Sequence, residues 1–528
     1  MRMIATKATI TSTLTVVALA ATNCKSNPDY ALTVDNWNQV NGDKSLSAFW
    51  DGGTDGEGVK WKGSSSYGDP HQFTTQLGIE LQNKNTWNCS GLPFENHCSP
   101  ERCSSIGKYN SHGELTSDPS RWGLLALNSV SNLHKWISML YNGIQIGQGD
   151  ASSYAFKIAT DFAKPKDKPS VVLKDLFSAA SLALGILGVL PATRFTPLIG
   201  AGNTVQGFIS TELGNHLASD EMDNSFQLAS AYDLAITNFA DVARQSLESA
   251  NGQILNSADD TTLNLLKGGG WIQAPAATET DIGNFFRRNM IARGINAVWR
   301  TYSSYVYYIW LNDQGATSTQ TGTKCDLDRS GPQHAKYCAD EGVYYLYMFD
   351  DGNVNWPYGG PSLQPDPYKI NPVWAVESSA RSFKAQGINY DPSKTDVSQL
   401  LGTSSLKDFL SQPERLEGTW TLPVCDGSSF GQFNFDYENG KRDGGTHPCV
   451  CGIDGRDTAA FMEAAKINSK NAARRCFNWW VVEGTDNWPT GSDSIAYSSD
   501  GKNTVTKGGV IDCRKHSGAS NPKYCEVS

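Results

Sequence analysis

Cysteine is missing from the whole middle of this chain: none occurs between Cys103 and Cys325. Also missing are an H-E-x-x-H pair, a P-loop and a glycine-rich dinucleotide fingerprint, so no motif supports a zincin, a phosphate-loop enzyme or a dinucleotide-dependent one. The eight histidines show no metal-ligand spacing, and neither a metal nor a cofactor is expected. Positive charge is short as well. Lys and Arg number 44 against 54 Asp and Glu, a net charge of −10. Phosphate contacts need clustered cations, so nucleic acid is not an expected partner.

What is present begins with an export signal. Arg2 and Lys7 precede an apolar run over 16–21 that ends on Ala18 and Ala20 in an A-x-A arrangement, the order of a secretory signal peptide at 1–21. The twelve cysteines all survive its removal. Cys24, Cys89, Cys98 and Cys103 lie at one end; Cys325, Cys338, Cys425, Cys449, Cys451, Cys476, Cys513 and Cys525 lie at the other. Both sets are even, which predicts disulfides closed within each end of a secreted, extracellular protein. Pairing stays open, since eight cysteines alone allow 105 connectivities. Asn88-Cys89-Ser90 is a glycosylation acceptor.

Periodicity makes the middle helical. From Arg121, apolar residues Trp122, Leu125, Val130, Leu133, Trp136, Ile137, Leu140 and Ile144 recur at helical steps. Ala229, Tyr232, Ile236, Phe239, Ala243 and Leu247 repeat this, as do Ile282, Phe285, Phe286, Asn289, Ile295 and Trp299. The stretches at 343–349 and 418–424 are aromatic and β-branched and read as strands; 457–467 reads as a short helix. The expected fold is multi-domain α+β. A Cys-containing N-terminal segment spans 22–120, a helical bundle 121–312, and a disulfide-rich α+β module 313–528.

Inside the bundle segment, 176–211 holds one charge, Arg194, between Pro191 and Pro197. The prolines break helices, so two apolar arms joined by a polar-tipped turn are expected. Seventeen helical residues reach about 26 Å, short of the roughly 30 Å bilayer core. Gly200, Gly207 and Gly214 fall on one face, with Gly185 and Gly188 on the other arm. Such stripes let backbones approach closely, in membranes and in buried soluble pairs alike. Lys164, Lys166, Lys168 and Lys174 precede the arms, where they suit anionic lipid heads or an ordinary solvated linker. Three readings follow: a sheathed hairpin released into membranes, as in a pore-forming cytotoxin or effector, a buried core pair, or a surface patch that binds a partner.

The motifs "CSPERC" (98–103) and "RWGLLALNSVSNLHKWISMLYNGIQIG" (121–147), followed by this small-residue apolar segment, resemble a family of uncharacterised secreted fungal proteins over roughly 85–250. The resemblance implies fungal secretion and fold, and no activity.

Enzyme signals are thin. Gly427, Ser429 and Gly431 match a nucleophile elbow, but a strand- or loop-like segment follows where a helix is needed. Asp326, Asp328, Ser330 and Gly331 match half a calcium loop that lacks its closing Glu, Tyr337 standing there instead, and Cys325 and Cys338 bracket it as a disulfide loop would. Asp350, Asp351, Asp436 and Glu438 supply carboxylates for a hydrolase but no readable spacing. Trp356 and Trp488 each sit in an Asn-Trp-Pro turn. Such rings stack on sugars or anchor small cores, which makes a glycan- or cell-wall-binding protein, or a glycoside hydrolase, the alternative function. The expected partners are therefore a lipid membrane or a glycan.

Overall fold

A computed structural model describes residues 28–50, 73–82, 87, 89, 91–92, 98–100, 106, 120–163, 225–255, 261–274, 276–310, 325, 331–339, 342–350, 353–390, 406–426, 461–467, 496–497, 503–506 and 509–512. The described chain is α+β: helices packed on one another and on a small mixed sheet.

Three short helices come first, α1 (Val34–Gln39), α2 (Gly42–Trp50) and α3 (Phe73–Gln82). The 33-residue α4 (Arg121–Ser153) starts where the Ser120 hydroxyl accepts from the Gly123 N–H. Its apolar stripe is buried as the periodicity predicts, with Trp136, Leu133 and Ile144 fully enclosed. A brief break at Tyr154 leads into α5 (Ala155–Asp161). The next described helix, α6 (Ser225–Leu255), runs antiparallel to α4. Three side-chain pairs fix that direction: Gln148 with Thr237, Tyr141 with Arg244, and His134 with Asn251. After α7 (Thr261–Leu266) comes α8 (Glu279–Thr301), opened by a capping box between Thr278 and Asp281.

The contact between α4 and α8 is set by glycine. A Cβ on Gly147 would stand 2.5 Å from the Gly283 carbonyl oxygen, and one on Gly143 2.5 Å from Ile282 Cγ2. Only a bare Cα allows this approach. On its other side α8 meets α6: Phe239 and Phe286 stack with centroids 5.5 Å apart, and the Tyr232 hydroxyl donates to the Met290 carbonyl at 2.7 Å. Burial holds the Tyr232 phenol well above its ordinary pKa.

The sheet has the order β2-β3-β1-β5, from β1 (Ser304–Trp310), β2 (Lys336–Ala339), β3 (Gly342–Asp350) and β5 (Val424–Asp426), with β4 (Asn353–Asn355) also paired to β3. β1 is antiparallel to β3, from Ser304 opposite Met348 to Trp310 opposite Gly342, and parallel to β5. The strand predicted at 343–349 is thus present as β3. Between β4 and β5 lie α9 (Pro372–Gln386) and α10 (Leu406–Ser411). The three strands β6 (Ala496–Tyr497), β7 (Asn503–Thr506) and β8 (Gly509–Asp512) form a separate antiparallel meander. β1, which the sequence places with the bundle segment, lies between β3 and β5 of the following segment. One hydrophobic core runs from Trp37 through α4, α6 and α8 to Val424.

The strand expected over 418–424 is shorter than predicted. Only Val424 onward is strand, and 418–423 is irregular. Its amides bond to side chains instead of a neighbouring strand. The N–H groups of Gly418, Trp420 and Leu422 donate to the hydroxyls of Ser382, Ser378 and Ser379 on α9, at 2.8, 3.0 and 3.3 Å. Thr421 N–H donates to Asn296 Oδ1 on α8 at 3.1 Å. The serines of α9 substitute for a strand partner, so no ladder forms.

Candidate functional site

A buried polar cluster lies where α8, α9 and the 411–424 segment meet. On α8, Asn289, Arg293, Asn296 and Arg300 recur at steps of four, three and four, so they share one face. That face is turned inward: Asn289 is fully buried, Arg293 is 1% exposed and Asn296 5%. A polar face at such depth must find partners within the protein.

Most of it does. Arg288, beside that face, grips Glu414 with both arms of its fork, Nε to Oε1 at 2.6 Å and Nη2 to Oε2 at 2.8 Å, while Nη1 donates to the Ser411 carbonyl. Glu414 is entirely buried, and burial raises its carboxyl above the usual range despite the Arg288 charge. Asn289 donates through Nδ2 to Thr419 Oγ1 at 2.9 Å and to the Pro413 carbonyl. Asn296 donates to Thr421 Oγ1 and accepts from the Thr421 amide. Across the seam Glu377 of α9 accepts from Arg415 on both oxygens at 2.7 Å and from Arg381 at 2.6 Å. That hydrogen bonding raises the Arg415 pKa further.

Arg293 differs. Its Nε donates to Asn289 Oδ1 at 2.5 Å, one turn back on the same helix. Its Nη1 and Nη2 are buried and have no acceptor among the described residues. Burial pushes its pKa down to about 9, and the Tyr390 phenol, where ionised, acts the other way. At neutral pH it still carries its proton. The seam therefore holds a buried cation whose end-on fork is unused, a geometry suited to a planar oxyanion.

The sequence reading did not find this seam. The available signal was Asn289, a polar residue inside an apolar stripe, with Arg293 one turn further on.

The residues singled out from sequence are distributed otherwise. Gly185, Gly188, Arg194, Gly200, Gly207 and Gly214 lie outside the described residues, as do Asn88, Ser429 and Trp488. Trp356 is half-buried against the core. The His334 ring meets its face edge-on at 4.1 Å between centroids, and a Cβ on Gly360 would fall 1.7 Å from its Nε1. Two bridges have both cysteines among the described residues, Cys89–Cys98 and Cys325–Cys338, the second bracketing the sequence that half-matches a calcium site. Cys425 is disulfide-bonded too. Cys24, Cys103, Cys449, Cys451, Cys476, Cys513 and Cys525 lie outside the described residues. Among the described residues no group of His, Cys, Asp and Glu is arranged to hold a metal, and no helix is long and apolar enough to cross a membrane.

No protein-family model, curated protein or solved structure matches the chain.

Proposed function

We propose that this is a secreted protein that acts on lipid membranes through its apolar segment 176–211. One observation carries the reading. The antiparallel register of α4 and α6 sets the start of α6 beside α5, so the described residues on either side of the apolar segment lie at one end of the helical layer. The apolar segment is attached at that end. Ile146, Phe156 and Leu234, in the last turns of α4, in α5 and in the first turns of α6, are 44%, 57% and 53% exposed there. Apolar side chains exposed at the end to which the apolar segment is joined are the support for an interaction surface there. The disulfides Cys89–Cys98 and Cys325–Cys338 suit an oxidising, extracellular setting.

The test is dye release from liposomes by full-length mature protein, with neutral and with anionic lipid, at neutral and mildly acidic pH. Release is expected, and it should fall when Phe156 and Leu234 are both replaced by Ser. Folded protein that releases no dye from any of these vesicles ends the reading. The competing reading, a glycan-binding protein, rests on the half-buried Trp356; retention on chitin or glucan resin without dye release would favour it.

A further inference from the structure

We propose that Arg293 anchors an internal binding site for a small carboxylate. The proposal does not depend on the membrane reading, because it stands on the seam between α8, α9 and 411–424. A guanidinium offers five N–H donors, and here Nε is held by Asn289 while the two terminal nitrogens, enclosed and 1% exposed as a residue, meet no acceptor among the described residues. Leaving such donors dry is costly, and more so when they carry charge.

The acids of the seam do not relieve it. Both oxygens of Glu414 are taken by Arg288, and both oxygens of Glu377 by Arg415, with Arg381 added on Oε1. The Tyr390 phenol donates its proton to Glu417 at 3.0 Å and so brings no negative charge to Arg293. Three other arginines thus occupy both buried carboxylates, and neither acid bonds to Arg293. Because Nε is occupied, the free edge is the Nη1/Nη2 side, which presents two parallel donors. Two coplanar oxygens on one carbon match that edge. Asn289 holds the fork in place, since its Oδ1 fixes Nε while its Nδ2 is tied to Thr419.

The test uses the full-length protein with formate, acetate and inorganic phosphate as probes, each compared with sodium chloride at equal ionic strength. Formate or acetate is expected to raise Tm progressively with concentration, as ligand linkage requires. Calorimetric titration with acetate should give a saturable heat. Arg293→Met should abolish the response. Arg293→Lys keeps the charge but loses the fork, and should weaken binding roughly tenfold or more. No rise beyond chloride, or an equal rise in Arg293→Met, overturns the proposal. A rise with phosphate alone overturns the carboxylate assignment. Should Arg293→Met fail to fold, equal titration heats and affinities in wild type and Arg293→Lys overturn it instead.

Discussion

Arg288 and Glu414 meet fork to fork across the seam, 126 residues apart in sequence, with the carboxylate fully buried. Pairs of this kind are strongly destabilised when one partner is lost, because the other charge stays buried alone. Arg288→Met is therefore expected to cost about 3–5 kcal/mol at pH 7 by urea unfolding. Glu414→Gln added to it should recover a large part of the loss.

The pH dependence of that loss follows from Glu414. Its carboxyl is already raised by burial, so the native state takes up its proton more readily than the unfolded state does. Without Arg288 the folded pKa rises further, and the protonated form needs no countercharge. The deficit of Arg288→Met should be full above the folded pKa and shrink as pH falls through it. Unfolding curves at pH 7 and pH 5 check this. An equal deficit at both would mean that packing, not charge, governs the site.

Arg293 should behave in the opposite way. Its folded pKa, about 9, lies well below that of the free side chain, so the native state sheds the proton more readily than the unfolded state. The penalty of burying the charge is fully present below about pH 9 and is relieved as pH rises through that value towards the pKa of the free side chain. Arg293→Met removes it across the neutral range. In chloride buffer that variant is expected to be as stable as wild type or more so, measured by urea midpoint. A loss comparable to that of Arg288→Met would place an internal counterion beside Arg293.

Two glycines in different environments, though only two residues apart in sequence, give a paired test of the α4–α8 contact. Gly147 has the Gly283 carbonyl where a Cβ would go, whereas Gly149 has nothing within 4 Å. Gly147→Ala forces the helices apart and should cost about 1–3 kcal/mol, typical of overpacking. Gly149→Ala meets no obstacle and should gain up to about 1 kcal/mol from helix propensity. Thermal melts of the two variants should move in opposite directions.

How far this could be read in advance depended on the kind of signal. The stripe of α4 and the aromatic run of β3 were legible, because a periodicity of 3.6 or of mixed aromatic and β-branched residues reports burial directly. The irregular path of 418–423 was not. Trp420 and Leu422 have strand-like side chains, but their amides are claimed by Ser378 and Ser379, some 40 residues earlier. Such side-chain competition for backbone donors leaves no local trace. The same holds for Arg293: its neighbour Asn289 is visible one turn away, but the enclosure that makes the charge costly comes from distant segments.

A boundary at residue 312 separates β1 from the strands it pairs with. The segment 313–528 holds β3 and β5, but both pair with β1, which ends at Trp310. Without β1 the two strands lose their shared neighbour, and Val343, Tyr345 and Tyr347, buried in the intact sheet, lose the pairing that encloses them. The loss reaches α9 as well. The amides of 418–422 would keep their serines, but Thr421 would lose Asn296, and Glu414 would lose Arg288. A fragment of 313–528 is therefore expected to show no cooperative unfolding transition, even with its cysteines oxidised. A fragment starting at residue 279 regains α8 and β1 and should recover at least part of that cooperativity. Chemical denaturation followed by tryptophan fluorescence compares them directly. A cooperative transition in 313–528 alone would mean that its disulfides outweigh the missing strand.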